Sequence, residues 1–312
     1  MIAGIIIRAI VVASFVLSFS LCLPSISVNC QDQAPATQQT VILNVRVTDG
    51  ASHSVSDVPR EDFRITEDGQ PQTISSFSKE DIPLTYALVV DSSGSLRPQF
   101  NYVVATAATI VSNNQPDDET LLIRFISSNK IETVQEFTSD PRAVIKGLQS
   151  LYIEGGQSAV LDAVYLAAAG VSEHKADDKR PRRRAMILVT DGEDRASYYN
   201  EDQLFKFLGQ HDVQIFVIGF VNDLRGKSRT KATALLDRLA TDTGGRAFFP
   251  SSVTELASIA KEITRDIRTQ YVIGYVPTTS NSSVHKVLVN VVEKPGSEKR
   301  IAVTRVGYSV AK

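Results

Sequence analysis

The sequence predicts a mainly parallel, doubly wound α/β sheet, with a small β-domain built from N- and C-terminal strands. Three observations predict it. From Tyr86 to about Gln270, continuous apolar runs alternate with amphipathic segments, as buried parallel strands alternate with crossover helices. Before that zone, Val41 to Phe77 alternates apolar and polar residues in period two, and after it Tyr271 to Lys312 returns to strand-like runs. The chain has 312 residues, 43% hydrophobic and 22% charged, an ordinary globular composition with length for about two cores.

Residues 1–27 read as a signal peptide. Arg8 precedes an apolar run from Ala9 to Leu23, about 15 residues, short for a membrane span and suited to an export signal. Ser25 and Ser27 supply small residues for cleavage after Ser27, so the chain is expected in the periplasm or at the cell surface. The competing reading is a retained N-terminal anchor, the one route to membrane contact. Phe19-Ser20-Leu21 before Cys22 and Ser27-Val28-Asn29 before Cys30 lack the small residue of a lipidation site. Cleavage would leave Cys30 alone, without a disulfide partner. Residues 28–40 are polar and read as a flexible tether.

Residues 41–82 form an N-terminal β segment. Val41, Leu43, Val45 and Val47 alternate, Glu67-Asp68-Gly69-Gln70-Pro71 is a turn, and Gln72 to Phe77 alternates again. These strands are too few for an independent sheet and need partners elsewhere. Residues 83–270 carry the α/β pattern. Strands are expected at Tyr86–Val90, Thr120–Phe125, Ala185–Thr190, Val213–Gly219 and Arg246–Phe249, with a more polar edge strand at Ile131–Phe137. Helices are expected at Phe100–Val111, Pro141–Gln149, Ala159–Ser172, Glu201–Gly209, Lys231–Thr241 and Val253–Ile267. Residues 271–312 add strands at Tyr271–Val276, Val284–Val292 and Arg300–Tyr308, the last two joined at Gly296-Ser297 and packed with residues 41–82.

Ligands of such sheets bind at the carboxyl ends of the strands, and oxygen ligands gather there. Asp91-Ser92-Ser93-Gly94-Ser95 follows the first buried strand, and Thr190-Asp191-Gly192 ends the fourth. Gly155-Gly156-Gln157-Ser158 presents a hydroxyl ahead of a helix. Asp91, Ser93, Ser95, Ser158 and Asp191 therefore form a candidate site for a hard cation, Mg²⁺ first, with Ca²⁺ or Mn²⁺ as alternatives. The surrounding loops at Gly94, Gln157 and Gly192 are where a partner would make contact.

Asp-x-Ser-x-Ser, Gly-Gly-x-Ser and Thr-Asp-Gly in this order resemble a von Willebrand factor A domain, a Rossmann-like fold, over roughly residues 83–270. The resemblance implies a metal-ion-dependent adhesion site. Ser93, Ser95 and Ser158 would ligate the metal, and Asp91 and Asp191 would hold it mainly through water or hydrogen bonds. Ser158 stands where the family usually has Thr. Val47–Asp49, Glu61-Asp62-Phe63, Glu67-Asp68-Gly69, Ser75-Ser76-Phe77, Gln270 to Tyr275 and Gly307-Tyr308 further resemble exported VWFA-related proteins of acidobacterial type.

Three neutral hydroxyls would leave the ion most of its charge, ready for a carboxylate from a partner protein's Asp or Glu. The expected function is thus a metal-dependent, adhesion-type protein-binding module, not an enzyme. An envelope scaffold with a structural metal is the first alternative and a Mg²⁺-dependent hydrolase the second. The chain has no GxSxG, HExxH, P-loop or GxGxxG. A net charge of −2 gives no electrostatic basis for nucleic-acid binding.

Plainer roles fit the remaining polar residues. Taken singly, Asp91 and Asp191 would cap loops. Asp162 is favoured in the first turn of its helix by the dipole, and Glu193 and Asp194 read as a solvated loop. The basic run from Lys179 to Arg184 reads as a charged gatekeeper flank, with anionic lipid contact as the alternative. Thr243-Gly244-Gly245 needs only glycine's freedom at positive φ. His53, His174, His211 and His285 have no metal or triad spacing and are assigned no role.

Overall fold

The computed structural model describes residues 40–178, 180–278, 282–293, 296 and 298–310. The expected signal peptide and almost all of the tether lie outside the described residues, as do Lys179 and Ser297. Among the described residues no helix is long and apolar enough to cross a membrane.

In chain order, β1 (Val41–Thr48), β2 (Ser54–Val55), β3 (Phe63–Glu67), β4 (Gln70–Gln72) and β5 (Ile74–Ser78) come first. Then follow β6 (Leu84–Asp91), α1 (Phe100–Ser112), β7 (Glu119–Ser127), β8 (Lys130–Thr138), α2 (Pro141–Gln149) and α3 (Val160–Glu173). Next are β9 (Arg183–Thr190), α4 (Glu201–Gln210), β10 (Gln214–Gly219), α5 (Gly226–Asp242), β11 (Arg246–Phe248) and α6 (Leu256–Arg268). β12 (Gln270–Tyr275), β13 (Val284–Val291), β14 (Ile301–Val303) and β15 (Gly307–Ser309) complete the order.

The large sheet runs β11-β10-β9-β6-β7-β8, parallel throughout except for the antiparallel edge strand β8. β6 lies at its centre and is buried along its whole length. Its alternation explains the unbroken apolar run. Tyr86, Leu88 and Val90 face α1, α2 and α6 on one side, while Ala87 and Val89 face α3, α4 and α5 on the other. Local sequence sets helix starts. Asp140 accepts from Arg142 N with Pro141 opening α2, and Asn200 and Gln203 form a capping box on α4.

Early and late strands find each other in two smaller sheets. One runs β14-β1-β12-β5 with β2 beside β1, and the other runs β15-β13-β3-β4. The period-two pattern of these strands is what fills their shared core, where Leu43, Val45, Tyr271 and Ile273 of the first sheet meet Phe63, Ile65, Val287 and Val289 of the second.

The expected single strand Arg300–Tyr308 is two strands, β14 and β15, in different sheets. Between them the chain crosses over α5's end. Thr304 Oγ1 donates to Asn44 O at 2.8 Å, and Thr243 bridges to Arg305. Gly244 has φ +80°, and a Cβ there would also meet Arg305 N at 2.6 Å, so close approach joins backbone freedom in requiring glycine.

In the basic run, expected as a charged gatekeeper flank, Arg182 and Arg183 at the amino end of β9 are buried. Arg182 donates to Thr85 Oγ1 and the Asp117 carbonyl and pairs with Glu119. Arg183, 1% exposed, donates to the Ile267 carbonyl at 2.7 Å and to Asn44 Oδ1 at 3.4 Å. Its guanidinium joins the α/β sheet to α6 and β1.

Candidate metal centre

β6 hydrogen-bonds to β7 on one side and β9 on the other, so the chain leaves it in opposite directions. This switch point opens a crevice at the strand ends. Val90 pairs with Val189 in the register, which sets Asp91 beside Thr190. Thr190 Oγ1 donates to Asp91 Oδ2 at 2.7 Å, and Ser93 N donates to Asp91 Oδ1 at 2.9 Å. Asp191 accepts from Glu193 N at 3.0 Å, an Asx turn that folds the second loop.

Main-chain bonds lace the three loops together. Glu154 N donates to Ser92 O at 2.9 Å, tying the loop before α3 to the β6 loop. Arg195 N and Ala196 N both donate to Ser158 O, at 2.8 and 3.2 Å, tying the β9 loop to the same segment. Gly156 permits the approach, because a Cβ there would stand 2.4 Å from Ile126 Cγ2 at the end of β7. As a result Ser158 Oγ reaches Asp91 Oδ2 at 3.5 Å.

Asp91, Ser93, Ser158 and Asp191 are buried, and Ser95 is exposed at the mouth. Beside the mouth lies a cleft of about 490 Å³ whose walls include Ser95, Asp191, Arg195, Asp223 and Arg225. Burial, with the nearby Asp191 carboxylate, pushes the Asp91 carboxyl up to about 6, against hydrogen bonds from Ser93 and Thr190 that pull it down.

The donor set fits a hard divalent cation. Two buried acids repel each other, which a cation would reverse. Ser93 Oγ and Ser95 Oγ stand 3.0 Å apart. Adjacent ligands of an octahedral Mg²⁺ are separated by about 2.9 Å, given metal–oxygen bonds near 2.1 Å. In such a site Ser93, Ser95 and Ser158 would supply neutral oxygens, and Asp91 and Asp191 would supply charge behind them.

Some sequence expectations change here. Gly192, expected at a partner-facing loop, is itself buried with φ +78°, and a Cβ would lie 2.7 Å from Leu236 Cδ1. Arg195 and Tyr198 carry the accessible surface of the segment after it. Asp194 is not simply solvated, because it accepts from Leu161 N and Ser197 Oγ and caps α3. Asp162 is structural, but through bonds from Tyr198 N and Tyr199 N at 2.9 and 2.8 Å rather than the dipole alone. Thr190 was missed as a site residue. Its place directly before Asp191 at a strand end was the available signal. His285 is buried in the smaller sheets against Glu67 and Asp68, away from the strand-end loops.

The switch-point crevice of this doubly wound sheet thus gathers hydroxyls and acids of a kind that suits a hard divalent cation. Residues 87–262, more than half of the chain, match the von Willebrand factor type A domain. The protein belongs to that family, whose members are often metal-dependent protein-interaction modules and are typically non-enzymatic. Solved structures similar to it include an aerotolerance-related membrane protein from Bacteroides fragilis, at 19% identity and TM-score 0.47, covering 59% of this chain and 98% of that one. Another is proximal thread matrix protein 1 from the mussel byssus with a zinc-occupied MIDAS motif, at 17% identity and TM-score 0.48, covering 59% and 48%. A third is a von Willebrand factor type A protein from Catenulispora acidiphila, at 12% identity and TM-score 0.47, covering 86% and 74%. A comparison with curated proteins finds no match.

Proposed function

We propose that this protein is an exported adhesion-type module that captures an Asp or Glu side chain of a partner protein through a divalent cation, Mg²⁺ first. Ser93, Ser95 and Ser158 ligate the ion, and Asp91 and Asp191 hold it through water or hydrogen bonds. The carrying observation is the lacing of three loops, which gathers three hydroxyls around two buried acids. The cation supplies a Lewis-acidic point at the mouth beside Ser95, and the partner carboxylate supplies the missing negative charge.

The surroundings suit protein contact. Tyr152 is 56% exposed in the loop before Ser158, and Tyr198 is 81% exposed in the loop after Asp191. Aromatic anchors around a polar centre are the usual source of binding energy at interfaces. Catalysis by an activated hydroxyl has less support. His53 lies in the β1–β2 turn, His174 and His211 end α3 and α4, and His285 lies on β13, so none stands beside Ser93 or Ser95 as a base. Export rests on the segment from Arg8 to Ser27.

The test is a pull-down from an envelope fraction with Mg²⁺ or EDTA, run beside Asp91→Ala. Retention of a defined partner in Mg²⁺ and its loss in EDTA and in the folded variant is the expected result. A partner held equally in EDTA would favour a scaffold instead.

A further inference from the structure

The smaller sheets hold a second cluster of ligand-type atoms, in the part of the chain that the strand-end site does not use. Glu67 ends β3, Asp68 opens the turn to β4, and His285 lies on β13. Glu67 is fully buried and His285 is 2% exposed. His285 Nδ1 stands 2.9 Å from Asp68 Oδ2 and 3.2 Å from Glu67 Oε1, and the three atoms lie within 4.8 Å of one another.

A ring nitrogen carries at most one proton, so Nδ1 can serve only one of its two acceptors. It hydrogen-bonds Asp68, which leaves Glu67 Oε1 buried and without a hydrogen-bond donor. A buried carboxylate oxygen left without a donor is destabilising. The rest of the cluster is arranged to keep that oxygen where it is. Tyr275 and Tyr308 both donate to the other oxygen, Glu67 Oε2. Asp68 Oδ1 is fixed by Lys286 N at 2.8 Å, which aims Oδ2 at the ring. Tyr308 stacks on His285 with centroids 4.9 Å apart.

We propose that Glu67 Oε1, Asp68 Oδ2 and His285 Nδ1 form a second cation site, for a borderline divalent ion of the zinc class. One imidazole nitrogen with two carboxylates is a mixed N/O set suited to such ions. Neighbouring ligands of tetrahedral zinc are about 3.3 Å apart for bonds near 2.0 Å, close to the two measured separations. Metal at Nδ1 takes the place of its proton, which passes to solvent from the imidazolium or is exchanged through solvent to Nε2 in the neutral ring, and it satisfies the ring and both carboxylates at once. The tyrosines act as outer hydrogen-bond donors that orient the ligating carboxylate. Entry is open from two sides, because Asp68 is exposed and His285 lines a cleft of about 260 Å³ shared with Arg305 and Tyr308. The three ligands belong to one small sheet, and Tyr275 of the other donates to the ligating Glu67 carboxylate.

The test uses the full chain carrying Ser93→Ala and Ser95→Ala, which disables the strand-end site, with Zn²⁺ alone as probe. Calorimetry at pH 7.5 should give one equivalent of zinc, and the melting temperature should rise on zinc addition. Adding Asp68→Asn should weaken zinc binding at least tenfold. Asn tolerates the left-handed φ of +50° at position 68, so the turn is kept. His285→Asn should abolish binding, and Co²⁺ in place of zinc should give a visible d–d band that is lost with either substitution. Absence of stoichiometric zinc from the parent, or unchanged affinity with Asp68→Asn, overturns the site.

Discussion

At the scale of single residues, Asp91 carries the largest electrostatic strain at the strand-end site. Burial and Asp191 raise its carboxyl to about 6, against an ordinary 3.8. The unfolded chain ionises near the ordinary value, so between about pH 4 and 6 the folded state binds the extra proton. Stability from this group is therefore complete below about pH 4 and is lost as pH rises through 6, a change on the order of 3 kcal/mol. In EDTA, the melting temperature should rise as pH is lowered from 7.5 to 5, and Asp91→Asn should remove that component. Mg²⁺ should stabilise the wild type at pH 7.5 and have little effect at pH 5, where protons compete for the site. Thermal melts across this range decide it; equal slopes for wild type and Asp91→Asn would count against the strain.

At the scale of elements, the site depends on how loops approach helices. Gly192 sits at φ +78° against Leu236 of α5, so Gly192→Ala meets both backbone strain and a packed side chain. A loss of about 1–3 kcal/mol in chemical denaturation is expected, with weaker Mg²⁺ binding because Asp191 shifts with it. An unchanged denaturation midpoint would show that the loop adapts freely. The candidate ligands were legible because Asp91, Ser93 and Asp191 sit at the ends of apolar runs that periodicity alone identifies. The division of residues 300–308 between β14 and β15 was not legible. Both halves are short and apolar enough for strand, and the break is imposed by docking on Thr243 and Gly244. Arg183 misled for a similar reason. A charge beside a hydrophobic strand reads as surface until a carbonyl of α6 and an amide of β1 are known to surround it.

At the scale of the whole molecule, Arg183 connects the large sheet with the smaller ones. Burial lowers its guanidinium to about 10, still charged at neutral pH. Arg183→Met keeps volume but strands the Ile267 carbonyl and Asn44, so a loss of about 2–4 kcal/mol is expected. Calorimetry should show one cooperative transition in the wild type and a lower or divided one in the variant. On the opposite end, Tyr198→Ala should weaken partner binding about tenfold or more while leaving Mg²⁺ affinity unchanged. Equal partner affinity would place the contact surface elsewhere on the strand-end face.

Sequence by itself determined the alternation of strands and helices, the period-two strands at either side, and the hydroxyls and acids at strand ends. These follow from local patterns of apolarity and from short motifs, which need no knowledge of distant contacts. Only the tertiary structure decided that Thr190 braces Asp91, that Gly192 faces inward and that His285 meets Glu67 and Asp68. Each of those depends on register and packing between segments far apart in the chain, where one residue of slip turns a side chain to the other face.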